Sequence, residues 1–560
     1  GDALVGVTVI VTRSGVSTQS AITDDRGSYR INNLPPGTYL VTFYYLDSTI
    51  ERSDIIVGVQ KTTPVFIKFG GAEGKGEVVR IEGHAPTIDP TSTAQGITID
   101  KDYLKNIPVP GRTFDAALGA AAGSQGDIGG VAFSGSTSLE NQYYVDGVNT
   151  TGLTFGTVGS PVINDFIEEI EIITGGYNAE FGRATGGIVN VVTKSGSNEL
   201  KGSVFGYWQP GILTAPAETS PSNAASIEVT GNLGYAADLG FEMGGPIKKD
   251  KAWFYVGVAP QFQRVDFTRT IKSQTVIGGG RDHGPTTLAD GTRTQCDGRL
   301  VQNGGFADAA PDIDPDTGFY ITEDVDSEVR SRITRSIAAI GKLNYALNPQ
   351  QQGQLAVQLA PGWSRRPGLF GPSSTGTSTR GLNADVSMKW TSKFNNDKTE
   401  VEATLGLHRD SFENGSIGPL SGTARPVLVG GDLGRYGLGL RESQATQQGC
   451  LDNVGGAGDI FPFITNCPMD SNAYVTGGPG SVFEDLEQRQ SGRLGVTQRI
   501  KAAGTHELKA GIDFENNVST NTRALSGDAF LVNYLDAAID VQRWVQITND
   551  DNTNPRFDQT

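Results

Sequence analysis

Few of the 560 residues are of types that do covalent or metal chemistry, and those few are badly spaced for it. The four histidines, His84, His283, His408 and His506, are scattered and share no metal-ligand spacing. No Gly-x-Ser-x-Gly elbow, phosphate-cradling Gly-rich loop or Cys-x-x-Cys pair occurs. One run imitates a calcium loop. In "DIDPDTGFYITE", Asp312, Asp314 and Asp316 alternate and Glu323 stands twelfth, but the glycine falls seventh where such a loop needs it sixth. The run therefore reads as a solvated acidic loop. No catalytic residue, metal or cofactor is expected, and the chain does not read as an enzyme.

The composition points to strands and turns. Glycine is abundant at 75 residues and amphipathic helical periodicity is scarce, which indicates an all-β-dominated fold of more than one domain. A net charge of −17 makes nucleic acid an unsuitable partner, because phosphate binding needs a cationic surface. No run of 18 apolar residues exists, so a helical membrane span is excluded, whereas a barrel of half-apolar strands is not. The chain opens inside a strand pattern, "ALVGVTVIVT", with no basic start or apolar signal core ahead of it.

Three regions follow one another. In residues 1–71, β-rich runs ("GVTVIVT", "SAITDD", "GSYRI", "TYLVTFYY", "DIIVGV", "PVFIKF") alternate with turn signals, as in a small β-sandwich. Asp24 and Asp25 supply turn chemistry there, and Tyr29 and Ile31 point inward. Residues 72–196 begin with a Gly-rich hinge and an extended stretch. A short helix is expected around 100–106, stopped before Pro108. The runs "YYVDGV", "IEEIEIITGG" and "FGRATGGIVNVVTKSG" come next, with Gly186 and Gly187 where the backbone must approach a neighbour closely. Ser195 and Gly196 read as a hinge, and "GSVFGYW" opens the third region, 197–560.

That third region alternates. Leu382, Ala384, Val386, Met388, Trp390 and Phe394 share one strand face, opposite Asn383, Asp385, Ser387, Lys389, Thr391 and Lys393. Val401, Ala403, Leu405 and Leu407 oppose Glu400, Glu402, Thr404 and His408. Leu508, Ala510, Ile512 and Phe514 oppose Glu507, Lys509, Gly511 and Asp513, and 233–243 and 337–347 behave alike. A soluble sandwich alternates too, so the connections decide. Short turns at 245–251, 348–353, 395–398 and 502–505 alternate with long polar segments at about 210–230, 269–332, 361–380 and 412–486. Membrane barrels have short turns at one end and long loops at the other, and a compact soluble domain rarely holds such long loops.

The piece "TDDRGSYRINNLPPGTYLVTF" resembles the carboxypeptidase regulatory-like domain, an accessory β module without catalytic residues. The three Gly-containing runs of the second region resemble, in order, the plug of TonB-dependent outer-membrane receptors. Taken together, the regions resemble the Oar-like type of that family. The resemblance implies a small N-terminal β-sandwich, an α+β plug domain, and part of a large antiparallel transmembrane β-barrel of about 22 strands when complete. Nine or ten strands can be found here, so the chain reads as the N-terminal part of a longer receptor.

Further expectations follow from the resemblance. They are a place in the bacterial outer membrane among its lipids, an inner-membrane TonB-type energy transducer as partner, and an extracellular ligand of unknown identity. Energised transport is the first reading of function; surface adhesion or assistance to protein export is the alternative. The family keeps its transducer-binding box between hinge and plug, which here is "EVVRI": Glu77, Val78, Val79, Arg80 and Ile81. Such a segment adds a strand to its partner's sheet. An ordinary linker strand is the competing reading. Cys450 and Cys467 fall in the longest loop, on the oxidising side of the membrane. A bridge between them would stabilise that loop by about 3 kcal/mol in the chain-entropy model. Cys296 would be left as the free thiol, although three cysteines also allow its pairing with either one, or two buried free thiols.

Overall fold

The computed structural model describes residues 3–558, apart from 14–15, 25, 32–33, 35–36, 46–47, 59–61, 68–77, 82–93, 107–110, 218–226, 275–285, 288–292, 295–321, 418–426, 431–473, 477, 503, 527–529, 535–538, 543–545 and 549–555. Cys296, Cys450, Cys467, Asp312, Asp314, Asp316 and Glu77 lie outside the described residues, and Glu323 is described in its backbone alone.

The N-terminal domain is one five-stranded sheet. Its strands are β1 (Thr8–Arg13), β2 (Val16–Ile22), β3 (Gly37–Tyr45), β4 (Ser48–Val57) and β5 (Val78–Ile81), in the order β2-β1-β3-β4-β5. Val9, Val11, Val41 and Phe43 alternate onto one face and build its core. Two of the six expected strands are corrected. "GSYRI" and the described part of "PVFIKF", residues 64–67, join no ladder, although Tyr29, Ile31, Val65 and Ile67 pack on the core. Tyr29 stacks edge-on against Phe43 and donates to Val65 O at 3.1 Å, so side chains rather than backbone bonds cover this face. Asp24 makes the expected turn, its Oδ1 accepting from the N–H groups of Arg26 and Ser28 at 3.0 Å each. The fifth strand comes from beyond the hinge and pairs parallel with β4.

The central domain holds a second five-stranded sheet. Its strands are β6 (Gln95–Asp100), β9 (Gln142–Val145), β10 (Val148–Asn149), β11 (Ile167–Gly175) and β12 (Ile188–Thr193), ordered β10-β9-β12-β11-β6, with the hairpin β7 (Ser124–Asp127) and β8 (Gly130–Phe133) beside it. The expected short helix is α1, Lys101–Asn106, and Asp100 caps it by accepting from Tyr103 N at 2.7 Å. At Gly187 an added Cβ would lie 2.4 Å from the Phe133 ring, so this glycine is present for close approach.

The wall is a nine-stranded antiparallel sheet in sequence order. It comprises β13 (Lys201–Pro210), β14 (Ile227–Lys248), β15 (Ala252–Gln274), β16 (Thr322–Asn348), β17 (Gln351–Arg366), β18 (Thr377–Phe394), β19 (Thr399–Ser416), β20 (Ser481–Lys501) and β21 (Thr505–Leu525). All four short turns fall at one end. The turn at 395–397 takes positive φ at Asn395, Asn396 and Asp397, a conformation that Asn and Asp tolerate better than other side chains.

The long connections are shorter than the sequence suggested, because the strands continue past the apolar band; β16 alone runs 27 residues. About ten residues suffice to cross a membrane. A ladder longer than that can continue into water, because its backbone groups are already paired between strands. On the long-loop side Arg269 and Arg330 fold the 367–376 loop back onto the strands, donating to the carbonyls of Leu369, Gly368 and Gly371.

Candidate functional site at the contact between plug and wall

The wall's two faces differ as the alternation requires. Leu382, Met388, Phe394, Leu405 and Leu508 are exposed on the outer face. Asn383, Asp385, Ser387, Lys393, Thr404 and His408 are buried on the inner face, against the central domain or the space beneath it. Trp390 is half-buried, and its ring lies over Gly353 of the adjacent strand, where a Cβ would come within 2.6 Å of it. Lys389 and Lys393 line the inner space as expected, Lys389 paired with Glu402 at 2.8 Å.

One part of the contact between plug and wall is apolar. The plug core of Phe114, Tyr143, Ile167, Ile170 and Val189 continues into Tyr255, Ala259 and Ile340 of β15 and β16. Phe166 lies close enough to Gly257 that a Cβ there would sit 2.5 Å from its ring. Neighbouring ions frame this seat. Arg112 pairs with Asp165 at 2.5 Å and with Asp238 of β14 at 2.9 Å, and it stacks on Tyr207. Burial works against the Arg112 charge, but the Asp165 charge and the Asp238 bond outweigh it and raise the guanidinium's pKa.

The remaining contact is polar. The β9–β10 turn, the "DG" of "YYVDGV", enters the inner face with Asp146 at positive φ. Lys342 of β16 donates to Asp146 Oδ1 at 2.9 Å, Thr193 O at 2.9 Å and Thr193 Oγ1 at 3.2 Å. Both ionic side chains are almost wholly buried, at 1% and 2% exposure. Thr193 also donates to Asp146 through N at 3.2 Å and Oγ1 at 2.6 Å, and Ser387 Oγ donates to Asp146 O at 2.7 Å. On the next strands His408 Nδ1 meets Asp385 Oδ1 at 2.6 Å, and plug Ser160 Oγ donates to Asp385 Oδ2 at 2.5 Å. His408 Nε2 has no partner among the described residues and faces Gly159.

Farther along, Arg489 of β20 donates to Asn149 O at 3.0 Å and Thr151 O at 2.9 Å. Glu487 accepts from the N–H groups of Leu153 and Thr154, and plug Arg183 pairs with Glu515 of β21 at 2.8 Å. Ser195 and Gly196, read from the sequence as a hinge, lie between β12 and β13, and this connection is held against the wall. Gly196 lies against the Phe254 backbone, and Asn198 Oδ1 accepts from Trp253 Nε1 at 2.7 Å and Asp250 N at 3.0 Å.

Beneath the plug, towards the short turns, a cavity of about 2370 Å³ separates it from the N-terminal sheet and the wall. Arg13, Tyr39, Asp146, Lys393, Glu400 and Arg499 are among its lining. Arg13 bridges to Glu168 of β11 at 2.8 Å, and Glu168 is shared with Lys101. Arg30 reaches Glu507 of β21 at 3.2 Å. The small domain therefore hangs under the plug at the short-turn end. Of the expected coupling segment, Val78, Val79, Arg80 and Ile81 form β5; the ladder holds them next to Thr49, Ile50, Glu51 and Arg52.

Asp146, Lys342, Asp385 and Arg489 were not singled out from the sequence as site residues. The signal available for Lys342 was a lone lysine on an otherwise apolar alternation at 337–347. For Asp146, a common turn dipeptide concealed a buried ion.

Comparison with known proteins places these regions in a familiar order. A family model described as carboxypeptidase regulatory-like domain matches residues 1–69, and one described as outer membrane beta barrel domain matches residues 192–534. The chain is 34% identical over 537 residues to the TonB-dependent transporter Oar of Myxococcus xanthus, covering 91% of this chain and 48% of that protein. It thus spans about half the length of that relative. Among solved structures, it is similar to the outer membrane transporter YddB of Escherichia coli, at 12% identity and a TM-score of 0.49, over 80% of this chain and 51% of the other. The ferric enterobactin receptor PfeA of Pseudomonas aeruginosa matches at 12% identity and a TM-score of 0.36, over 78% and 56%.

Proposed function

Since the chain belongs to the outer membrane beta barrel domain family, we propose that it serves energised transport across the bacterial outer membrane, with the central domain as a releasable plug. The observation that carries this reading is the polar plug–wall contact centred on Asp146 and Lys342. An apolar seat fixes the plug's place on β15 and β16, while ions and hydrogen bonds meet it farther along β16 and on β18 to β21. Buried ion pairs contribute little net stability, because desolvation offsets their attraction, yet a misplaced partner is costly. Such a contact specifies one docked position and can exchange its bonds for water when the plug is drawn aside.

The energy for that displacement would come from a TonB-type transducer gripping 77–81 by strand addition. The position of this run between the small domain and the plug supports the assignment. An extracellular ligand would enter from the long-loop side, and lipid would cover the outer face. In the same reading Cys450 and Cys467 form a disulfide within the 417–480 connection, with Cys296 free.

The test needs no known substrate. A cysteine at exposed Thr154, whose N–H bonds Glu487, reports plug seating through maleimide labelling of the receptor in cells, its three native cysteines replaced by serine. Labelling should rise when the inner membrane is energised and the transducer is present, and Val79→Pro should abolish that rise without affecting membrane insertion. Labelling indifferent to energy and transducer would reject energised transport and leave adhesion or export assistance.

A further inference from the structure

We propose that the N-terminal domain is a presenting scaffold for the coupling segment: it holds Val78–Ile81 as a preformed edge strand, and an extended strand of the transducer adds to that strand's open side. The inference rests on the reading of 77–81 as the coupling segment.

Strand β5 ends the order β2-β1-β3-β4-β5, and no described strand lies beyond it. Its pairing with β4 is parallel and in register from Thr49↔Val78 to Arg52↔Ile81. In a strand bonded on one side, alternate N–H and C=O groups point away from the sheet and stay unpaired. Four residues so held offer a partner strand a row of backbone donors and acceptors already in extended geometry. Presentation differs from sequestration in one respect: β4 occupies one side of β5, and no described strand occupies the side a partner needs.

The placement of the sheet fits this role. The Arg13–Glu168 and Arg30–Glu507 pairs tether the small domain to β11 and to the short-turn end of β21. The strand is therefore offered on the face of the receptor that a periplasmic partner reaches. Ile50 faces the domain core, whereas Thr49 and Glu51, one residue to either side, point the other way by strand alternation. A substitution at Glu51 thus leaves the core packing alone. A partner that binds an already ordered strand avoids the entropy of ordering it, which appears as tighter binding.

The test staples the pair. In the full chain with Cys296, Cys450 and Cys467 replaced by serine, Glu51→Cys and Arg80→Cys place two thiols at a matched position of the ladder. Binding of the transducer's isolated periplasmic domain is then measured on the oxidised and the reduced protein. Presentation predicts that the oxidised form binds at least as tightly, by up to roughly tenfold, because the segment is already extended. Loss of binding on oxidation with recovery on reduction would overturn the proposal, since the segment would then have to leave β4 to be gripped. Val79→Pro in the reduced protein separates the two readings. If that variant binds as well as its parent, the transducer docks elsewhere, and the assignment of 77–81 fails along with the scaffold.

Discussion

Lys342→Met should unseat the β9–β10 turn from the wall. The lysine makes three bonds, to Asp146 Oδ1, Thr193 O and Thr193 Oγ1, and its loss leaves the Asp146 carboxylate buried at 2% side-chain exposure without a counterion. Removing one partner of a buried pair costs about 3–5 kcal/mol. The value here belongs at the lower end, because Thr193 N and Oγ1 still donate to that carboxylate. A cost of about 3 kcal/mol corresponds to an opening equilibrium shifted by about a hundredfold. Hydrogen exchange of the 142–151 peptide, compared with the wall strands of the same detergent-solubilised sample, reads that equilibrium. Exchange should accelerate by about two orders of magnitude in the turn and stay unchanged in β18 and β19. Combining Lys342→Met with Asp146→Asn removes both charges and should restore most of the protection, a coupling of about 2–3 kcal/mol in the double-mutant cycle. Acceleration of less than threefold, or a double variant as open as the two single effects summed, would refute the account of this pair as the plug's anchor.

Gly159→Ala would place a methyl 2.1 Å from Thr150 O and 2.9 Å from His408 Nε2; it should speed exchange of the 150–160 segment at least as strongly, while an alanine at the roomier Gly126 should not. Leu405 is 59% exposed on the outer face, so Leu405→Arg should lower unfolding stability in lipid by about 2–4 kcal/mol near the midplane, measured by denaturant titration in bilayers. Asp127 accepts from Ser138 Oγ and N and from the N–H groups of Gly129 and Gly130, and the Ser138 bonds hold its carboxyl below the ordinary carboxylate range. A lowered folded pKa means that its contribution is complete above the unfolded value of about 4 and is lost as pH falls through the folded value. Exchange protection of the β7–β8 hairpin should therefore decline in acid, and Asp127→Asn should flatten that profile. Non-reducing peptide mapping should recover one linked peptide joining Cys450 to Cys467; a link through Cys296, or three free thiols in oxidised protein, would defeat the pairing.

The sequence by itself determined whatever depends on local period and turn chemistry. Strict alternation along 382–394 and 400–408 assigned each side chain a face, because a strand has period 2 wherever it lies. The order of short and long connections oriented the wall, and the short helix near 100–106 was legible from the proline that follows it. "GSYRI" and residues 64–67 show the limit of this information: their side chains alternate correctly, but a ladder also needs a neighbouring backbone at hydrogen-bonding distance, which local pattern does not supply. Only the tertiary structure decided which inward polar residues meet the plug. Lys342 lies 196 positions from Asp146 and Arg489 340 from Asn149, so no local signal links them. It also decided that β5 joins a sheet begun seventy residues earlier, and that the connection from β12 to β13 packs against the wall. Both outcomes arise from backbone and glycine contacts between distant segments, whose energies depend on where the chain is brought together and not on what stands beside each residue in sequence.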